Sequence, residues 1–239
     1  MIPRIIHYCW FGGTEMPQLA KDCIATWHRY MPDWEYRLWD EATFDIESIA
    51  YTSEAYAVGK YAFVSDYVRL WALAKEGGLY LDVDFEVFRP FDEILRYHAF
   101  AGFEGSKHSP LMMGVCASEP HGYWVNKMKE AYHSRHFIMP DGTVDVVTNV
   151  QYITSIMVAE GFKQDGHEQD WHDLHVFPVD YFSPRLTTGD YFRTENTYCE
   201  HKGLASWSDN PVRWKSVIMR VIGQSAMTKL IKLKRKLMG

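Results

Sequence analysis

Apolar positions along this chain repeat with two periods, and the switches between them mark the elements. Residues 2–8 form a β-branched run that stops at an aromatic turn with Gly12 and Gly13, which predicts a strand and then a loop. Residues 17–30 predict a helix with Pro17 at its start, and residues 35–39 alternate as a short strand. Over residues 62–76, Val64, Tyr67, Val68 and Trp71 share one stripe, so a helix is expected there. Gly77 and Gly78 close it, since a left-handed C-terminal residue suits glycine. Residues 79–81 read as a short buried strand running into Asp82, Val83 and Asp84, and residues 85–87 continue the extended pattern. Further strands are expected at 99–103 and 111–116, and helices at 122–133 and 144–160. Strands alternating with helices imply an α/β fold with a mixed central sheet. No repeat, low-complexity stretch or flexible linker interrupts it, so residues 1–210 are expected to form one domain.

Composition narrows the class. With 47% apolar and 23% charged residues, the 239-residue chain is neither disordered nor a coiled coil, and its four cysteines form no C-x-x-C pair and no zinc-finger spacing. They read as free thiols of a reducing cytoplasm. Aromatics reach 15%, which fits an aromatic-rich core or a groove lined for a ligand. The net charge of −6 conceals a polarity. Residues 211–239 hold eight Lys and Arg and no acid, leaving 17 basic against 31 acidic groups, or −14, in residues 1–210. On a helical projection Met227, Leu230, Ile231, Leu233, Leu237 and Met238 share one broad side, so residues 211–239 are expected to form a basic amphipathic C-terminal helical segment. Its partner is an anionic membrane surface, the acidic body or solvent. The acidic body disfavours nucleic acid. No run of about 18 uncharged apolar residues and no leader pattern occurs, so a cytoplasmic chain is expected, at most peripheral on the inner face of the plasma membrane.

Candidate chemistry centres on Asp82 and Asp84. On an extended backbone these positions face one side, at the C-terminal end of a strand, where α/β sheets bind ligands. Two hard oxygen donors suit Mg²⁺ or Mn²⁺. A D-x-D pair alone is a weak signal, and a solvated strand end is its commoner meaning. Upstream lie Ser65, Asp66 and Arg69, and spacing i, i+3 puts Asp66 and Arg69 on one helix face. They form either an intrahelical ion pair worth a few tenths of a kcal/mol or, because the Gly77-Gly78 turn folds the helix back, a flank of the carboxylate pair.

The run Ala62-x-x-Ser65-Asp66-x-x-Arg69-Leu70 followed by Gly77-Gly78-x-Tyr80-x-Asp82-x-Asp84 resembles the D-x-D region of the retaining glycosyltransferases of family 32. That family includes initiating α-1,6-mannosyltransferases, bacterial capsule and lipopolysaccharide sugar transferases and, more distantly, clostridial glucosylating toxins. Residues 2–13 are similar to its opening strand and nucleotide-base loop, and Val176-Phe177-Pro178, Phe182-x-Pro184, His201 and Ser206-Trp207 follow its later order. The resemblance implies a GT-A (Rossmann-like) fold, a UDP- or GDP-sugar donor, Mn²⁺ or Mg²⁺, and a glycan or lipid-linked glycan acceptor of a bacterial surface polysaccharide. Carried over, Tyr8 and Trp10 would meet the nucleotide, with Trp10 stacked on the base. Asp66 and Arg69 would hold the sugar and its phosphate, Asp82 the ribose and metal, and Asp84 the metal. His201 would be a third ligand or a diphosphate contact, and Ser206 and Trp207 would close over the phosphates. Two other readings compete. One is a sugar-binding module of the same fold without activity. The other is a phosphohydrolase of the haloacid dehalogenase type, whose D-x-D sits on the first strand with Thr or Val two residues on, where Glu86 stands here.

Overall fold

The computed structural model describes residues 1–105, 111–184 and 192–203. Ser206, Trp207 and the basic segment 211–239 lie outside the described residues. In chain order the elements are β1 (Ile5–Cys9), α1 (Gln18–Tyr30), β2 (Glu35–Trp39), α2 (Ala50–Ala57), α3 (Tyr61–Glu76), β3 (Gly78–Leu81), β4 (Phe85–Val87), β5 (Ala99–Phe103) and β6 (Leu111–Ser118). There follow α4 (Tyr123–Ala131), α5 (Asn149–Ala159), β7 (Gln169–Trp171), β8 (Leu174–Phe177), α6 (Val179–Phe182) and β9 (Cys199–His201). Among the described residues, seven strands form one sheet in the order β2-β1-β3-β6-β5-β8-β7, and β4 pairs with β9 apart from it. The large sheet is mixed, as the alternation of elements predicts. Strand β1 runs parallel to both β2 and β3, whereas β6 runs antiparallel to β3 and β5.

Both faces of the sheet are covered, so its central strands are apolar on both sides. Along β3 the period of two sends Leu79 and Leu81 into one core with Trp27, Phe85 and Phe100, and Tyr80 into the other with Trp39, Tyr67, Leu70 and Trp124. Helix α3 ends at Gly77 (φ +66°), and Gly78 follows at φ +113°. A Cβ on Gly78 would stand 2.6 Å from the Ile5 carbonyl oxygen, so glycine there is what lets α3 turn directly into a strand beside β1. The turn is locked from below by His7. Its Nδ1 accepts from the Trp39 indole at 3.1 Å, which leaves Nε2–H to donate to Gly77 O at 2.8 Å. Burial lowers the His7 pKa, in keeping with that neutral tautomer.

The structure differs from the expected pattern in three places. Helix α2 carries no clear apolar period and escapes a pattern search; it buries Tyr51, Thr52 and Ala55. The helix expected over 144–160 begins only at Asn149. Val144 pairs with Ile138, the Asp145 carboxylate takes the Val147 N–H at 2.9 Å, and the Thr148 hydroxyl caps the helix at Gln151 N. The third change concerns the D-x-D pair. Asp82 and Asp84 lie not on an extended strand but in a tight turn between β3 and β4, closed by the Phe85 N–H on Asp82 O at 3.1 Å. Asp82 N–H bonds Gly114 O at 2.9 Å, so this turn is tied to β6. The two carboxylates therefore owe their directions to turn geometry rather than to pleating.

Candidate active site

Parallel pairing of β1 with β3 brings two chain segments to one end of the sheet. Tyr8, Cys9 and Trp10 leave β1 there, and Asp82 to Asp84 leave β3. Helix α3 supplies the floor. Arg69 is buried, and its nitrogens reach four protein acceptors: Ser65 O at 3.2 Å, Met113 O at 2.6 Å, Asp66 Oδ1 at 3.0 Å and the Asp82 carboxylate at 3.4 Å. Its guanidinium carbon lies 4.5 Å from the Tyr80 ring centre, and the Tyr80 hydroxyl donates to Asp82 Oδ1 at 2.8 Å. The Asp66–Arg69 pair is thus more than a solvated helical ion pair. It is a buried fork that links α3, β3 and β6. Burial disfavours the Arg69 charge, and the carboxylates of Asp82 and Asp66 more than restore it.

Asp66 is a strongly perturbed carboxyl. Burial pushes its pKa up to about 7; the charge of Asp82 adds to the rise, whereas Arg69 and a backbone hydrogen bond from Asn149 oppose it. A carboxyl whose folded pKa exceeds its unfolded value, about 3.9, binds its proton more tightly in the native state. It stabilises the fold fully below about pH 4 and loses that contribution as pH rises to about 7. The stability of the wild type relative to Asp66→Asn is therefore expected to fall between pH 4 and 7 and to level off above; a difference that stays constant in thermal melts across this range contradicts the assignment.

The second half of the site arrives from far along the chain. Strand β9 pairs antiparallel with β4, setting His201 opposite Phe85. The imidazole stacks on the Phe85 ring at 4.8 Å and 15°, and its Nε2 meets Asp84 Oδ2 at 3.0 Å. Lys202 N–H fixes the Asp84 carbonyl at 2.8 Å. Burial alone would lower the His201 pKa; the hydrogen bond and charge of Asp84, with Glu104 and Asp82, lift it to about 9. Two neighbours went unread in the sequence. Glu104, just past β5, lies within electrostatic reach of His201, Asp82 and Asp84, and burial raises its pKa. Gly114 on β6 leaves the space the turn needs, since a Cβ there would stand 2.8 Å from Asp82 Oδ2 and 2.6 Å from the Phe85 ring. A lone acid and a lone glycine at strand positions carry no pattern that would have singled them out.

Trp10 is half-buried, its backbone N–H held by Trp39 O at 3.0 Å and its indole N–H by Thr14 O at 2.6 Å, so the ring is oriented by its own loop. Tyr8 is half-buried as well and packs edge-on against Trp27 at 5.7 Å. The four cysteines are buried and form no disulfide, and burial pushes the Cys9 thiol beside the site up to about 12. The structure therefore brings Asp66, Arg69, Asp82, Asp84 and His201 together, and carries Tyr8 and Trp10 to the same end of the sheet.

This mixed α/β sheet, with a carboxylate and arginine network where β1 and β3 end, has a GT-A-like architecture. Residues 17–101 match the family described as "Glycosyltransferase sugar-binding region containing DXD motif". The chain is 35% identical to Inositol phosphoceramide mannosyltransferase 3 of Schizosaccharomyces pombe, in an alignment covering 87% of this chain and 56% of that protein. It is 27% identical to Mannosyl phosphorylinositol ceramide synthase SUR1 of Saccharomyces cerevisiae, covering 65% of this chain and 42% of that one. The chain thus spans about half the length of these curated relatives. Among solved structures it shares its fold with PaToxG Glycosyltransferase, with a TM-score of 0.51 and 17% identity over 67% of this chain and 70% of that one.

Proposed function

We propose that this domain transfers a hexose from a UDP- or GDP-sugar to a glycan or lipid-linked acceptor, with retention of anomeric configuration and a divalent cation in the site. The observation that carries the reading is the buried Asp66–Arg69–Asp82 fork beside Asp84 and His201. In this reading ionised Asp66 accepts donor-sugar hydroxyls, Arg69 holds Asp66 and Asp82 at fixed directions, and Trp10 stacks on the base. Ser206 and Trp207 are assigned by the same resemblance to the phosphates.

Among the described residues no group of three or more His, Cys, Asp and Glu side chains is set to hold an ion. That donor set suits a cation that takes one or two carboxylates from protein and the rest of its shell from substrate phosphates and water. Asp84 and Asp82 would hold Mn²⁺ or Mg²⁺, with His201 beside them as a diphosphate contact. When bound, the ion neutralises charge developing on the departing nucleoside diphosphate. His201 lies against Asp84 and fixes the direction of its carboxylate.

The two fungal relatives are named for adding mannose to an inositol-phosphate ceramide, which makes mannose the first donor sugar to test and a lipid headgroup hydroxyl the first acceptor. A surface glycan, as in the bacterial enzymes the sequence resembles, is the second. No helix among the described residues is long and apolar enough to cross a membrane, and the basic segment 226–239 is proposed to hold the domain against an anionic one. Turnover of UDP- and GDP-hexoses with Mn²⁺ tests the reading, using acceptors in anionic vesicles. Transfer that keeps the donor's anomeric configuration by NMR, and weakens when residues 226–239 are deleted, is expected. Binding of a donor without any turnover would instead mark an inactive sugar-binding module.

A further inference from the structure

A cavity of about 580 Å³ opens between the end of α4 and the approach to α5. Small-molecule sites run to about 300–1,000 Å³, so the space suits one. None of its lining comes from residues 17–101, the matched segment that supplies Asp66, Arg69, Asp82 and Asp84. Ring contacts nonetheless tie it to α3 at Tyr67, the chain neighbour of Asp66. Tyr152 of the lining meets Tyr132 at 5.4 Å, and Tyr132 meets Tyr67 at 5.9 Å.

The chemistry of the lining selects a ligand. Ser134, Arg135, His136 and Asp145 are its polar members, and Ile138, Met139, Pro140 and the Tyr152 ring supply apolar surface. Each base is matched by an acid: Arg135 Nε donates to Asp145 Oδ2 at 2.8 Å, and His136 Nδ1–H donates to Glu54 Oε1 at 2.7 Å. Among the described residues the lining therefore offers no uncompensated positive charge to a phosphate or carboxylate. The Ser134 hydroxyl, which both donates and accepts, and the accepting His136 Nε2 remain for a neutral partner. Neutral hydroxyls beside a C–H face that packs on aliphatic and aromatic carbon describe a sugar or cyclitol ring. The rim adds an apolar patch. Met139, Val144, Val146 and Val147 are 42, 37, 68 and 44% exposed, within nine residues of one another. Met139 lines the cavity, Val144 pairs with lining residue Ile138, and Val146 and Val147 follow lining residue Asp145. A polar-lined cavity continuous with an exposed apolar patch fits an amphiphile.

We propose that this cavity is an acceptor subsite, holding the terminal sugar or cyclitol ring of an amphiphilic acceptor whose apolar part lies on the rim at 139–147. The proposal rests on the reading of the domain as a nucleotide-sugar transferase. In the amide NMR spectrum of the full chain, methyl α-D-mannopyranoside and myo-inositol are expected to shift residues 134–140 and 145–152, and inorganic phosphate is not. Octyl α-D-mannopyranoside, below its micelle concentration, binds more tightly than the methyl glycoside, and Val146→Asp removes that advantage alone. Ser134 is exposed, so Ser134→Trp places a ring in the cavity without opening the core. It is expected to raise Kd for both rings about tenfold. Acceptor KM rises about tenfold as well, with donor KM and acceptor-independent donor hydrolysis unchanged.

Shifts with phosphate but with neither ring, or unchanged ring Kd and acceptor KM in a folded Ser134→Trp, overturn the proposal. Should Ser134→Trp not fold, Met139→Trp at a second exposed lining position carries the same expectations. Ring binding that Ser134→Trp weakens, in a chain that turns over no donor, would keep the ring site and refute the transferase reading. Donor turnover with an acceptor KM that Ser134→Trp leaves unchanged would do the reverse.

Discussion

Asp84→Asn is expected to lose about 10²–10³-fold in nucleotide-sugar turnover, the scale on which a group aimed at developing transition-state charge contributes, while circular dichroism shows the fold retained and the melting temperature falls only as far as loss of the Asp84–His201 charge pair requires. The substitution keeps shape and removes charge. Asparagine preserves the backbone carbonyl held by Lys202 N–H at 2.8 Å and offers an oxygen to His201 Nε2, which meets Asp84 Oδ2 at 3.0 Å in the wild type. What it no longer supplies is the anionic oxygen proposed to bind the cation. A folded Asp84→Asn protein with undiminished turnover would remove Asp84 from the mechanism.

The second large effect falls on Arg69, and mostly on stability. Arg69→Met leaves buried Asp66, the Asp82 carboxylate and Met113 O without their common donor. Breaking a buried ion pair from one side costs about 3–5 kcal/mol. At about 2–4 °C per kcal/mol for a chain of this size, the melting temperature is expected to drop by about 6–20 °C. Arg69→Lys does not restore it, because one ammonium cannot fork to Asp66, Asp82 and Met113 O at once. Thermal melts of both variants check this. A melting temperature for Arg69→Met within a degree or two of wild type would mean that the fork does not hold α3, β3 and β6 together.

Around these two residues some of the structure is legible in the sequence and some is not. The stripe on α3, the glycine pair after it and the apolar run of β3 are local signals, and the elements stand where the pattern puts them. Asp66 and Arg69 were legible as one helix face, but the same spacing also fits a solvated ion pair. Only the Met113 carbonyl, 44 positions away, reveals a buried fork. Period-two reasoning misplaced Asp82 and Asp84 because Asp is at home in turns, and the closing bond to Phe85 N–H has no apolar pattern. The run at 144–148 looked helical for the opposite reason. Its valines suit several structures, and the side chains of Arg135, Asp145 and Thr148 decide the outcome. His201 reaches Asp84 across 117 positions through pairing of two three-residue strands, β4 and β9; the resemblance to a known family singled out His201, but nothing in the sequence marked this pairing. Glu104 had neither pattern nor resemblance to mark it.

The activity proposed for this domain is sugar transfer from a nucleotide donor at the Asp82–Asp84 turn. Its most direct measurement is release of nucleoside diphosphate from GDP- and UDP-hexoses by the purified chain with Mn²⁺, with EDTA, and with Asp84→Asn in place of wild type. Release is expected with at least one donor, with abolition by EDTA, recovery on adding Mn²⁺ back, and at most about one-hundredth of the wild-type release in Asp84→Asn. Release that is unaffected both by EDTA and by the loss of the Asp84 charge would contradict it.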